Sequence, residues 1–120
     1  YNNMFFNCTS LVTVPELSAN VVADNCYGGM LYGCTSLTTA PALPATTLAN
    51  SCYYNMLFGC TKIKLSTTKT GSYVNEYRVP KVGTGIDNTD ALINMFTGTG
   101  GTFKSTPTIN TTYYTENQVI

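Results

Sequence analysis

The sequence predicts an α/β fold built as a solenoid, a stack of about four coils. Each coil is expected to be one short parallel strand plus one helix, with a β-hairpin inserted in the C-terminal cap. Three observations predict this. Met4, Met30 and Met56 recur at a fixed period, as do Cys8, Cys34 and Cys60, and Leu11, Leu37 and Ile63; Tyr1–Cys26 laid over Tyr27–Cys52 gives 12 identities in 26 positions. Each period holds an extended, Pro-bounded segment and then an apolar stripe at spacings of three and four. Pro15, Pro41 and Pro80 precede Met30, Met56 and Met95 at one and the same spacing, so the period continues after its obvious copies end.

The second coil shows the elements in order. Ser36–Ala40 is short, Thr-rich and closed by Pro41, which predicts a strand. Pro41 and Pro44 make a loop, and Thr46 or Thr47 can cap a helix. Leu48, Ala49, Cys52, Tyr53 and Met56 form one apolar stripe over roughly three helical turns. Gly59 is placed to end that helix as a left-handed cap. Cys60-Thr61 then leads into the next strand at Ile63. The residues expected to form the core between coils are Met4, Leu11, Leu17, Cys26, Met30, Cys34, Leu37, Leu43, Leu48, Cys52, Met56, Cys60, Ile63, Met95 and Phe103.

Residues 1–61 are therefore read as repeats, and 62–120 as degenerate repeats forming a C-terminal cap. Ile63 and Pro80 stand much further apart than their counterparts Leu37 and Pro41, which marks an insertion. Ile63–Thr68 and Tyr73–Val79, joined by Lys69-Thr70-Gly71-Ser72, predict a β-hairpin. Asp87–Phe96 reads as a degenerate helix with Ala91 in the place of Cys52, and Phe103, Pro107 and Ile109 recover the strand-and-loop spacing. The first coil begins inside its helix, so earlier coils are expected to precede Tyr1, and Ile120 is read as the natural end.

Net charge is zero, with only 10% charged residues. Residues 1–61 carry Glu16 and Asp24 and no basic residue; Lys62, Lys64, Lys69, Arg78, Lys81 and Lys104 all lie beyond. Without clustered basic residues, nucleic acid is not an expected partner. No apolar run is long enough to span a membrane. The chain has no histidine, which removes Ser/His and Cys/His catalysis, and its acids are scattered. No enzyme activity, cofactor or metal site is expected; the cysteines include no CxxC pair. Cysteines at the repeat period fit a column of small buried residues. They equally sit at a separation that disulfides between neighbouring coils could accept.

Cys34 to Cys60, with its Cys-Thr-Ser-Leu-Thr-Thr-Ala-Pro-Ala-Leu-Pro opening and its Cys-Tyr-Tyr-Asn-Met close, resembles the repeats of BspA-like leucine-rich-repeat proteins of gut Bacteroidetes. Similar repeats occur in proteins of their mobile elements and phages. The resemblance covers residues 1–63 most specifically, and Tyr77–Pro80 and Asn94–Phe103 are similar to segments that follow such repeats. It implies a right-handed solenoid of the leucine-rich-repeat type and an extracellular or cell-surface location. It also implies a non-enzymatic role in adhesion to a host protein or glycan. The alternative it leaves is a structural or host-recognition part of a phage particle, with other structural proteins as partners.

Two surfaces are candidates for ligand binding. Val12, Thr38, Lys64 and Lys104 each follow an inward apolar residue and should line up across the strands. A plain solvated sheet face explains them as well. Tyr1, Tyr27 and Tyr53 form a ladder, and tyrosine offers large contact area at low entropic cost; the competing reading is packing between coils. The predicted hairpin is a third feature, because projecting loops often carry function.

Overall fold

A computed structural model describes residues 1–66, 68–69, 71, 73–78, 82–83, 91–101 and 112–115. Among these no residue is helical, which overturns the expected coil of strand plus helix and with it the leucine-rich-repeat-type solenoid. The segments read as helices are ribbons of overlapping turns: residues 1–8, 25–34, 51–60 and 91–99.

The physical reason is a left-handed residue at every fourth position. Asn3 and Asn7, Asn25, Gly29 and Gly33, Ser51, Asn55 and Gly59, and Asn94 and Gly98 all have φ between 52° and 75°. An α-helix needs negative φ throughout. Asn and Gly tolerate the left-handed region far better than other residues, and a type II turn requires it at its third position. In the first ribbon Met4 N–H bonds Tyr1 O at 3.1 Å and Cys8 N–H bonds Phe5 O at 3.1 Å, each turn carrying an Asn third. The turn between them, Phe6 N–H to Asn3 O, carries none.

Only alternate N–H groups are used within a ribbon. The others cross to the next one. Asn3, Phe5 and Asn7 donate to Gly28, Met30 and Tyr32 carbonyls at 2.7–2.9 Å. Tyr27, Gly29, Leu31 and Gly33 donate to Cys52, Tyr54, Met56 and Phe58, and Tyr53, Asn55, Leu57 and Gly59 to Ala91, Ile93, Met95 and Thr97. The sequence step is constant across the first three ribbons, as from Asn3 to Gly28 and from Tyr27 to Cys52. It is longer from Tyr53 to Ala91, by the length of the insertion after Ile63. Each ribbon thus has one edge of donors and one edge of acceptors.

Strands are short: β1 (Thr47–Leu48), β2 (Leu65–Ser66), β3 (Asn75–Arg78), β4 (Val82–Gly83) and β5 (Thr112–Thr115). β1 pairs parallel with β4, Thr47 opposite Val82. The other three form an antiparallel sheet in the order β2-β5-β3. The predicted hairpin is corrected here. Its two arms do not pair with each other, because β5 lies between them and supplies hydrogen bonds to both. Ser36–Ala40 is not a strand either; one Thr38 N–H to Val12 O bond of 3.4 Å links it to the preceding repeat. The spacing of Phe103, Pro107 and Ile109 falls outside the described residues.

Side chains repeat with the ribbons. Tyr27, Met30, Leu31, Cys34 and Leu37 of one repeat and Tyr53, Met56, Leu57, Cys60 and Ile63 of the next are buried in one core, with Met95 and Phe96 of the fourth ribbon. Tyr1, Tyr27 and Tyr53 stack in a column with ring centroids 6.0 and 5.9 Å apart and planes within 9°. Such aromatic pairs add about 0.5–1.5 kcal/mol each beyond their burial. The Cys34 and Cys60 thiols donate to Phe5 and Leu31 carbonyls at 3.1 Å, tying each ribbon to its predecessor. Tyr113 of β5 packs edge-on against Phe96 of the fourth ribbon, centroids 5.4 Å apart, and both rings are fully buried.

Two substitutions test this arrangement. At Gly33 (φ 68°) an added Cβ would meet Asn7 Oδ1. Gly33→Ala is expected to destabilise by at least about 1–2 kcal/mol from the left-handed backbone alone, read as a lowered urea midpoint; an unchanged midpoint contradicts the ribbon geometry. Met56 has no exposed surface, and Met56→Asp places a charge among apolar side chains, so loss of the cooperative transition is expected.

Candidate functional site

A shallow depression of about 260 Å³ runs across the first three ribbons; Asn2, Asn3, Phe6, Asn25, Gly28, Gly29, Tyr32, Tyr54 and Asn55 line it, and the tyrosine column of Tyr1, Tyr27 and Tyr53 takes no part in it. It contains no charged side chain. The turn chemistry builds it. Asn3, Asn25 and Asn55 occupy left-handed positions. Asn3 folds its amide over Gly29, where an added Cβ would meet Asn3 Oδ1. A second aromatic column supplies one wall: Phe6, Tyr32 and Phe58 stack at 4.6 and 4.7 Å with planes within 12°. In that column Phe6, half exposed at 48%, leaves a ring face open at the end, and Tyr54 is 37% exposed.

Amide side chains both donate and accept hydrogen bonds. One is incompletely used: Asn55 Oδ1 is buried and accepts no hydrogen bond. A buried acceptor without a donor is costly unless a ligand or water supplies one. Next to Asn25 in the chain, the Asp24 carboxylate accepts the Asn50 N–H at 3.0 Å and Nδ2–H at 3.4 Å, so that carboxylate is engaged within the structure.

The residues expected to bind ligand are placed differently. Tyr27 and Tyr53 are buried at 3% and 0% exposure, so neither ring is open to a ligand; their column is part of the core. Thr38 is half-buried, its hydroxyl 3.5 Å from that of Thr39, and Lys64 is half-buried. Lys104 lies outside the described residues. Of the residues expected in the core, Leu17, Met30, Cys34, Leu37, Leu48, Cys52, Met56, Cys60, Ile63 and Met95 are buried, and Leu11, Cys26 and Leu43 are partly buried against them. Met4 departs from that expectation at 55% exposure, because no ribbon covers it. Phe103 is outside the described residues.

Asn2, Asn3, Asn25 and Asn55 are not among the candidates that the sequence suggests. The signal that finds Asn3 and Asn55 is a column of Asn and Gly at matching positions: Asn3, Gly29 and Asn55, and Asn7, Gly33 and Gly59. Such a column is a turn signal, not a helical one.

All five cysteines are free thiols, which removes the disulfide alternative. Cys8 is exposed, Cys26 half-buried, and Cys34, Cys52 and Cys60 buried. Burial raises the thiols, to about 11 for Cys52 and about 12 for Cys60, and pushes the Tyr53 phenol upward from its usual value. Raised values make these thiols poor nucleophiles. Among the described residues no group of His, Cys, Asp or Glu side chains is arranged to hold a metal ion, and no helix is long and apolar enough to cross a membrane.

The chain matches no family model, no curated protein and no solved structure.

The cysteines give a solution test. In the native protein Cys8 is expected to react first with a thiol reagent, with Cys52 and Cys60 protected until unfolding, and all five to react in denaturant. Because folded Cys60 holds its proton up to about pH 12 against 9.0 for an ordinary thiol, folded and unfolded chains bind it equally below pH 9. Above pH 9 the unfolded chain releases the proton first, so stability falls as pH rises through this window. Cys60→Ala should flatten the decline in urea midpoint between pH 9 and 12; an equally steep decline rules out a contribution from this thiol.

Proposed function

We propose that this chain is a non-enzymatic binding module, working in the extracellular space or on a cell surface, that recognises an uncharged host glycan in the Asn- and Tyr-lined depression. The observation that carries the reading is the chemistry of that lining. Sugar hydroxyls need closely spaced donors and acceptors, and the amides of Asn2, Asn3 and Asn25 offer both. Asn2, Asn3 and Asn25 are exposed and within a ligand's reach, whereas the Asn55 Oδ1 is closed off from it. Phe6 and Tyr54 present apolar ring surface beside them, the combination of aromatic body and polar rim that binding sites favour. The absence of charge in the lining argues for a neutral ligand over a sialylated or sulfated one. What supports the location is the resemblance of residues 34–60 to repeats of surface proteins.

The test is a titration of the chain against immobilised neutral oligosaccharides, repeated with charged ones. Saturable binding to a neutral glycan is expected, nearly insensitive to salt because no ion pair is involved. Tyr54→Ala, at a position 37% exposed, should weaken it by about tenfold or more while the cooperative folding transition is retained. Failure of the whole neutral panel, a steep salt dependence, or a Tyr54→Ala variant that binds as well as the parent would each contradict the proposal.

A further inference from the structure

The first ribbon has an acceptor edge with no donors on it. In the second and third ribbons the carbonyls of Gly28, Met30 and Tyr32, and of Tyr54, Met56 and Phe58, each accept an N–H from the ribbon before. The matching carbonyls of the first ribbon belong to Asn2, Met4 and Phe6, and none of them accepts a hydrogen bond. Three carbonyls on one edge point the same way, so their dipoles add and make that edge negative, as aligned peptides do at a helix terminus. The side chains agree. Tyr1 and Met4 are 72% and 55% exposed, whereas their equivalents Tyr27 and Met30, with a ribbon in front of them, are 3% and 1% exposed. Beside them lies a hollow of about 360 Å³, lined mostly by apolar side chains such as Phe5, Leu17 and Met30, with Glu16 and Ser18 also in its wall.

We infer that this edge is a docking edge for one further ribbon of the same repeat, which donates alternate N–H groups to the Asn2, Met4 and Phe6 carbonyls and extends the tyrosine column beyond Tyr1. The chemistry selects this occupant. An ordinary β-strand edge alternates N–H and C=O along its length and would set carbonyls against carbonyls at every second position. A ribbon of this repeat has an edge of donors only. A second copy related by a two-fold axis would oppose two acceptor edges. A second copy stacked head-to-tail would need the far side of the fourth ribbon, where Phe96 is fully buried with Tyr113 edge-on against it. Register follows from the constant step between the first three ribbons. In a copy of residues 27–52 joined directly before Tyr1, the residues corresponding to Gly29, Leu31 and Gly33 face Asn2, Met4 and Phe6.

The experiment extends the full chain by that copy and measures amide hydrogen exchange, with a scrambled extension of the same length as the control. Amides of the added residues matching Gly29, Leu31 and Gly33 should exchange roughly tenfold more slowly, or slower still, than in the scrambled extension. The thermal midpoint should rise, and Met4 should become protected from oxidation by peroxide. Added amides that exchange as fast as those of the scrambled extension would overturn the inference. So would a Met4 that is oxidised as readily as in the parent chain. Glycan binding plays no part in either readout; a docked ribbon would stack its equivalent of Tyr32 on Phe6, leaving Tyr54 and the amides as the glycan-binding surface, so the Tyr54→Ala test of the proposed function is unaffected.

Discussion

The structure depends on how each ribbon divides its backbone hydrogen bonds. Every second N–H closes a turn within the ribbon, and the remaining ones reach the neighbour, as with Tyr27, Gly29 and Leu31 on Cys52, Tyr54 and Met56. A left-handed residue every four positions permits this. It re-aims the peptide plane so that outward N–H groups line one edge and outward carbonyls the other. Buried backbone groups must be paired, so a ribbon is only stable against another of the same hand and register. The repeat period is the sequence's record of that demand.

Side-chain columns follow from the same register. Tyr stacks on Tyr, Cys donates to the carbonyl before it, and the left-handed positions stack Asn on Gly. The Asn–Gly alternation is a packing solution: Asn3 occupies the space that any side chain at position 29 would need. It also places several uncharged amides on one face. The depression proposed to bind glycan is thus built from residues that the backbone conformation itself requires, with Phe6, Tyr32 and Tyr54 added beside them.

The period, its interruption after Ile63 and most of the buried positions are legible from recurrence alone, because any stack repeats its contacts at a fixed interval. The local conformation is not. Leu48, Ala49, Cys52, Tyr53 and Met56 have the three-and-four spacing of a helix, yet a ribbon with a left-handed residue every fourth position also returns side chains to one face on that beat. The discriminating residues are Ser51, Asn55 and Gly59, and their counterparts Asn25, Gly29 and Gly33, too many helix breakers at too regular a spacing. Taken by itself, Gly59 reads as the left-handed end of a helix, when it is one member of a series. The antiparallel sheet is hidden for a different reason: β5 begins at Thr112, far along the chain from the end of β3 at Arg78, and a hairpin is the nearer pairing that local sequence suggests. Tyr27 and Tyr53 look like binding residues because sequence does not say which of two aromatic columns faces solvent.

The most direct test of the ribbon is a solution NMR measurement of scalar couplings across hydrogen bonds, from amide nitrogen to acceptor carbonyl carbon. The account predicts couplings from Gly29 to Tyr54, Leu31 to Met56 and Gly33 to Phe58, together with positive φ at Asn55. Couplings from each amide to the carbonyl of the fourth residue before it, with negative φ at Asn55, would show a helix over 51–59 and contradict it.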